Sequence, residues 1–168
     1  MLIKLLGALC VIVSAVALGR CKAAQFSSRR RQLAGLQGGL LSLEQQISYT
    51  AAPLPQALAE AAQAADTAGG LFAAAAGHLQ RQDGLTAGEA WLLALEQSEL
   101  QQRDRQLLTA LAAGFGHSDG DGQLSQVALL RERVAAAERQ AAEEEQRLGK
   151  IWRSMGWAIG SVLVLLLA

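Results

Sequence analysis

The sequence is poor in the residues that form β-sheets, disulfide bonds and rigid turns. Of its 168 residues, two are proline, two are cysteine and 4% are aromatic, and Val, Ile and Thr together supply only 16. So few β-branched residues exclude a β-rich protein. The cysteines, Cys10 and Cys21, would lie ~16 Å apart along a helix, which is too far for a disulfide.

The chain also lacks an excess of charge of either sign. Acidic and basic residues number 15 each, so no basic excess is present to neutralise phosphates, and a nucleic-acid partner is not expected. The abundant residues are apolar and helix-forming: 33 are alanine, 30 are leucine, and the hydrophobic fraction reaches 51%. This fraction excludes intrinsic disorder, and the alanine and leucine content predicts an all-α protein.

The apolar excess lies mainly at the two ends of the chain. Residues 1–19 are almost entirely apolar, and as a helix they would measure roughly 28 Å, close to the ~30 Å hydrocarbon core of a bilayer. Residues 154–168 are similarly apolar but fewer, and Trp152 and Trp157 suit a membrane boundary. We predict a transmembrane helix in each range and a helical bundle in residues 20–153.

The charges beside the first apolar segment predict its orientation. Only Lys4 precedes the segment, whereas five basic residues follow it: Arg20, Lys22, Arg29, Arg30 and Arg31. Basic residues stay on the cytoplasmic side of a membrane, which places the bundle in the cytoplasm and both termini outside. A cleaved signal peptide is the alternative, because Ala15-Val16-Ala17 fits a cleavage site, but the following charges argue against it. Within this membrane-side basic cluster, Arg29, Arg30 and Arg31 would also attract anionic lipid headgroups.

Two apolar stripes at helical spacing predict a pair of long helices. The first consists of Phe26, Leu33, Leu36, Leu40, Leu43 and Ile47, and the second of Val127, Leu130, Val134, Ala137, Ala141, Leu148 and Ile151. Each stripe leads into an apolar end, so we expect the two helices to pack antiparallel, with Ile47 near Val127. The run Glu143-Glu144-Glu145 is most simply a solvated face, although Glu144 interrupts the second stripe and in that register can pair with Arg29 or Arg30.

Four shorter helices are predicted between these two, which gives a bundle of about six helices. Pro53 and Pro55 end the first long helix and start the next, since proline is tolerated in the first turn of a helix. Gly69-Gly70 is predicted to break the chain before the third helix.

Later helix boundaries carry signals of their own. Thr86 and Glu89 fit a capping box, in which each side chain satisfies a free backbone amide. Gly114, Gly116 and Gly120 are predicted to end the fifth helix. Ser118, Asp119 or Asp121 can then cap the last long helix.

The run from His117 to Gly122 is similar to half of a calcium-binding loop. With Gly122 in the glycine position, the bidentate acid would be Ala128, so the required glutamate is missing and the run is interpreted as a turn between helices. The sequence contains no glycine-rich phosphate loop, HExxH zinc motif or nucleophile elbow. We therefore predict no catalytic, cofactor-binding or metal-ligating residue and do not expect an enzyme.

Gly156 and Gly160 form a GxxxG spacing in the last apolar segment. Small residues at this spacing let membrane helices pack closely. The spacing favours packing of the last segment against another membrane helix, with chance occurrence in a chain rich in glycine and alanine as the alternative, and it leaves a homo-oligomer open.

An ordered set of short motifs resembles the stage III sporulation protein AB family. The matching pieces are Ile47-Ser48-Tyr49, Pro53-Leu54-Pro55-Gln56-Ala57-Leu58, Glu89-Ala90-Trp91, Gly116-His117-Ser118-Asp119 with Gln123, and Trp152-Arg153-Ser154-Met155-Gly156. Thr50 and Ala52 depart from the family, which has glycine after the tyrosine and threonine before the proline. No single piece is specific, but the set covers nearly the whole chain in order.

The resemblance implies a role in endospore formation, in the mother-cell membrane. It implies a non-enzymatic platform or assembly subunit of a secretion-like channel between mother cell and forespore. Its soluble part would be similar to the helical domain of the type II secretion platform protein. The implied partners are the secretion-type ATPase of the same operon, other stage III sporulation membrane proteins and the lipid bilayer.

The candidate docking residues for such a partner are Pro53, Pro55, Ser118 and Asp119. They belong to turns that the antiparallel pairing places away from the membrane. The alternative function is a membrane-anchored helical signalling or regulatory module unrelated to secretion.

Overall fold

The computed structural model describes residues 2–50, 52–81, 84–117 and 120–167 of the chain. In order, the helices are α1 (Leu2–Gln45), α2 (Leu54–Ala64), α3 (Gly69–Gln80), α4 (Ala87–Gln97), α5 (Gln102–His117) and α6 (Gly120–Leu167). The described residues thus form six helices and no strand, which confirms the all-α prediction and the helix count. Among these residues, no helix carries an apolar stretch of the length needed to cross a bilayer.

The chain divides into two compact units. The terminal unit combines residues 1–30 and 140–168, and the central unit consists of residues 31–139. Both long helices, α1 and α6, contribute residues to each unit.

The core of the central unit is built from the predicted leucine stripe of α1 and the predicted stripe of α6. The buried members are Leu33, Leu36, Leu40, Leu43, Val127, Leu130 and Val134. An ion pair of 2.9 Å joins Arg131 Nε of α6 to Glu44 Oε2 of α1, in the register predicted for antiparallel helices. Ile47 at the end of the first stripe is only half-buried.

Three aromatic rings fill the space among the shorter helices. Trp91 of α4 is fully buried and makes edge-to-face contacts with Phe72 of α3, at 5.5 Å between ring centroids, and with Phe115 of α5, at 5.9 Å. Its indole N–H donates a 3.0 Å hydrogen bond to the carbonyl oxygen of Leu108. Because a buried indole N–H needs an acceptor, this bond fixes how α4 lies on α5.

Glycines in α1 allow an unusually close approach of the chain that ends α2. A Cβ atom on Gly35 would lie 2.2 Å from the carbonyl oxygen of Ala65, and one on Gly38 would lie 2.6 Å from that of Ala64. Both distances are shorter than a real Cβ contact, so only glycine fits while the backbones keep this separation.

The connection from α1 to α2 is a distorted turn. Residues Gln46–Thr50 form a π-helix, and Pro53 then caps α2, with Pro55 in its first turn. The carbonyl oxygen of Pro53 accepts the N–H groups of Gln56 at 2.9 Å and Ala57 at 3.0 Å. The predicted role of the two prolines at the start of α2 is confirmed, whereas α1 already ends at Gln45, before them.

The break before α3 lies earlier than predicted. A 3-10 turn spans Asp66–Ala68, where Asp66 has φ = 43°, and Gly69 is already the first residue of α3. A Cβ on Gly69 would lie 2.4 Å from the carbonyl oxygen of Ala62. Gly69 is therefore needed for close packing on α2, and the prediction that Gly69-Gly70 breaks the chain was wrong.

The predicted capping box at the start of α4 is present. The Thr86 hydroxyl accepts the Glu89 N–H at 3.3 Å, and the Glu89 carboxylate accepts the Thr86 N–H at 2.8 Å. Of the three glycines predicted to end α5, Gly114 and Gly116 lie inside the helix, which ends at His117, before Gly120. Glycine lowers helix stability without preventing helix formation, so these two residues do not end α5.

The capping box makes a pH-dependent contribution to stability. Hydrogen bonds from the Thr86 backbone N–H and side chain lower the pKa of the exposed Glu89 below its usual value of 4.5. A carboxyl group whose pKa is lowered by folding stabilises the fold above its unfolded pKa, and this contribution is lost as the pH falls through the folded pKa. We expect the difference in unfolding free energy between the wild type and Glu89→Gln to shrink as the pH falls below the usual Glu pKa of 4.5. Urea unfolding at several pH values measures this difference; a constant difference would contradict the assignment.

Candidate functional site

The five residues of the predicted basic cluster have different environments. Arg29 in α1 is buried, and its Nη1 donates to Glu144 Oε2 of α6 at 2.8 Å. Arg30 is half-exposed and pairs with Glu145 Oε2 at 3.2 Å. The pairing of Glu144 with this part of α1 is therefore confirmed. Two arginines of the cluster, Arg29 and Arg30, form ion pairs with glutamates within the terminal unit.

The two ion pairs are predicted to differ in energy because they differ in burial. The side chain of Arg29 is 7% exposed and that of Arg30 is 51% exposed. We expect Glu144→Ala to cost about 2 kcal/mol of unfolding free energy, because the buried Arg29 guanidinium loses a charge-assisted hydrogen bond. The matched substitution Glu145→Ala should cost less than about 0.5 kcal/mol, since exposed pairs are screened. Urea unfolding of both variants measures the difference, and equal costs would show that burial of Arg29 does not matter.

Arg20 and Lys22, the remaining members of the cluster in the terminal unit, are exposed. The same unit exposes large apolar side chains: Val13 by 59%, Leu18 by 70%, Ile151 by 45% and Trp152 by 38%. The second predicted stripe does not continue to Ile151 as a buried position, and Cys21 is an exposed free thiol. Exposed apolar groups next to cations are typical of a surface that meets a membrane interface.

A cleft of about 510 Å³ opens between α1 and α6 in this unit. Its lining includes Val16, Arg20 and Ser27 from α1, and Glu145 and Gly149 from α6. Sequence reasoning identified Arg20 but missed the cleft. The available signal was Gly149, a helix-destabilising residue inside a long helical stripe.

The predicted docking turn around Pro53 is exposed in the central unit. Pro53 is exposed and Pro55 is half-buried. The turn also carries Tyr49, the tyrosine of the sequence, with 89% of its surface exposed, on the π-helix. π-helical turns occur frequently at functional sites. Sequence reasoning used Tyr49 only as part of a motif and did not predict its exposure.

The surroundings of two other predicted sites lie outside the described part of the chain. Ser118 and Asp119 lie outside the described residues. Gly156 and Gly160 fall within α6, but their surroundings also lie outside what the structure describes.

The described residues contain no cluster of three or more His, Cys, Asp or Glu side chains suited to a metal ion. Two further clefts lie in the central unit, of about 340 Å³ beside α3 and α4 and about 460 Å³ beside Arg131 and Arg139. Neither brings together a nucleophile and a base.

Comparison with known proteins gives consistent results. A family model described as stage III sporulation protein AB matches residues 4–168. The stage III sporulation protein AB of Bacillus subtilis (strain 168) is 29% identical over 171 residues, covering 99% of each chain. A solved structure of a stage III sporulation protein AB superimposes with a TM-score of 0.64 at 26% identity, covering 71% of this chain and 98% of that one.

Proposed function

We propose that this chain, which belongs to the stage III sporulation protein AB family and has a role in sporulation, is a membrane platform subunit of a secretion-like channel between mother cell and forespore. The observation that carries the proposal is the match of the family along nearly the whole chain, including both apolar ends. Its role is to position partners rather than to catalyse a reaction.

Membrane attachment is proposed through residues 1–19 and 154–168. Their apolar sequences and the exposed Leu18 and Trp152 support it, together with exposed cations at the same unit's surface. The bundle of residues 20–153 would then lie in the cytoplasm of the mother cell, with both termini outside.

The proposed partner is the secretion-type ATPase of the same operon. A cytoplasmic bundle can meet a cytoplasmic ATPase, and Tyr49 offers an exposed aromatic side chain shortly before Pro53, the N-cap of α2. Tyrosine is enriched at protein interfaces. Pro55, Ser118 and Asp119 remain proposed members of the docking surface.

Deletion of the gene in its own organism tests the proposal. The expected strain grows normally, completes engulfment and then fails to produce heat-resistant spores, and a plasmid copy of the gene restores them. Reporter fusions at either terminus, compared with an insertion near Pro53, test the orientation. Normal sporulation in the deletion strain would refute the proposed function and favour a signalling module unrelated to secretion.

A further inference from the structure

We propose that the cleft between α1 and α6 in the terminal unit binds the headgroup of an anionic phospholipid, and that Arg20 contacts the lipid phosphate. The inference rests on the proposed membrane attachment and adds a specific lipid site to it. The cleft volume of about 510 Å³ lies within the range of pockets that hold small molecules, roughly 300–1,000 Å³.

The charges around the cleft favour an anion. Arg20 is a lining cation, and Glu145 is a lining acid whose carboxylate pairs with Arg30 at 3.2 Å. Two guanidinium groups therefore accompany one carboxylate, and Lys150 follows Gly149 directly in α6. A phosphate group can accept charge-assisted hydrogen bonds from an arginine in this setting.

Gly149 has no side chain, which leaves space in the cleft. The glycines at positions 35, 69 and 88 would each place a Cβ within 2.2–2.5 Å of a neighbouring carbonyl oxygen, so close packing requires them. A Cβ on Gly149 would have no neighbouring atom within 4 Å beyond the backbone of its own helix. Close packing therefore does not explain why a helix-destabilising residue stands inside α6, whereas an open cleft does.

The surroundings of the cleft favour a lipid over a free phosphate. Val16 lines the cleft itself, and Val13 and Leu18 of the same helix segment are exposed by 59% and 70%. A ligand with an anionic head and an apolar chain would contact both Arg20 and these apolar side chains, whereas a phosphate ion would contact Arg20 alone.

The test uses the full chain reconstituted in nanodiscs that contain equal parts of phosphatidylglycerol and phosphatidylcholine. Native mass spectrometry of the released protein counts the lipids that remain bound. We expect phosphatidylglycerol adducts to exceed phosphatidylcholine adducts by about fivefold, the factor expected for one arginine that contacts the lipid. Glycerol phosphate added in excess should not displace them, and displacement would show that the site takes a soluble phosphate instead.

Three variants separate the cleft from general attraction to the membrane. Arg20→Gln should remove the preference for phosphatidylglycerol, and Gly149→Leu should remove it by filling the cleft while every charge remains. Lys22→Gln is the matched control, because it removes the same charge two residues away from a side chain that does not line the cleft. Equal losses for Lys22→Gln and Arg20→Gln, or an unchanged preference in Gly149→Leu, would overturn the inference.

Incorporation of the protein into the nanodiscs is measured separately from its lipid preference. A wild type that incorporates without preferring phosphatidylglycerol contradicts the lipid site alone. A wild type that does not incorporate contradicts the proposed membrane attachment, and the lipid site with it.

Discussion

We expect Trp91→Ala to lower the free energy of unfolding by about 3–5 kcal/mol, the cost of removing a large buried aromatic side chain. The substitution removes two edge-to-face contacts, with Phe72 and Phe115, and leaves the space of a fully buried indole. It also removes the donor to the Leu108 carbonyl oxygen. Urea unfolding of the full chain in mild detergent, followed by circular dichroism, measures the loss.

Trp91→Phe is the matched control. It keeps an aromatic ring between Phe72 and Phe115 but has no N–H to donate to Leu108. We expect it to cost about 1–3 kcal/mol, from a smaller ring and the loss of one buried hydrogen bond. A cost for Trp91→Ala below about 1 kcal/mol would mean that the three aromatic rings do not form the core of the central unit.

The second large change in unfolding free energy is expected when Gly35 is replaced. Alanine normally stabilises a helix interior relative to glycine by about 1 kcal/mol. At this position its Cβ would lie 2.2 Å from the Ala65 carbonyl oxygen, and a backbone atom cannot rotate away. We therefore expect Gly35→Ala to reverse the usual sign and to destabilise the protein by about 2–3 kcal/mol, because α1 must move away from the end of α2.

Gly77→Ala in α3 provides the control for this reversal. The nearest neighbouring atom to its Cβ would be Arg81 Nη2, at 3.9 Å, an ordinary contact with a flexible side chain. We expect the free energy of unfolding of this variant to exceed that of the wild type by about 0.5–1 kcal/mol. The same unfolding experiment compares the two, and a stabilising Gly35→Ala would show that the close approach of Gly35 and Ala65 is not rigid.

Much of the helical architecture could be predicted because the sequence repeats apolar residues with the period of a helix. Leu36 and Val134 lie at the centres of two such stripes, and both are fully buried. The ion pair of Arg29 with Glu144 followed from the register of these stripes, since a polar residue inside a stripe needs a partner. The prolines and the capping box act through local backbone chemistry, so their effects could also be predicted.

Other features depend on tertiary contacts that a single sequence does not report. Gly35 and Gly149 are both glycines inside long helices, yet one lies against a backbone carbonyl and the other lines open space. Residues Gln46–Thr50, which include the exposed Tyr49, form a π-helix, and Asp66 has a positive φ; no local pattern in the sequence predicted either feature. The candidate lipid cleft falls in the same class, because its lining comes from two distant segments.

Capture of the ATPase tests the central proposal most directly. The full chain carrying an affinity tag is expressed in sporulating cells, solubilised in mild detergent and purified, and the proteins that accompany it are identified by mass spectrometry. The account predicts that the secretion-type ATPase of the same operon co-purifies with the wild type and that Tyr49→Ala, which changes an exposed side chain, reduces its recovery. A wild type recovered from sporulating membranes without the ATPase would contradict the account.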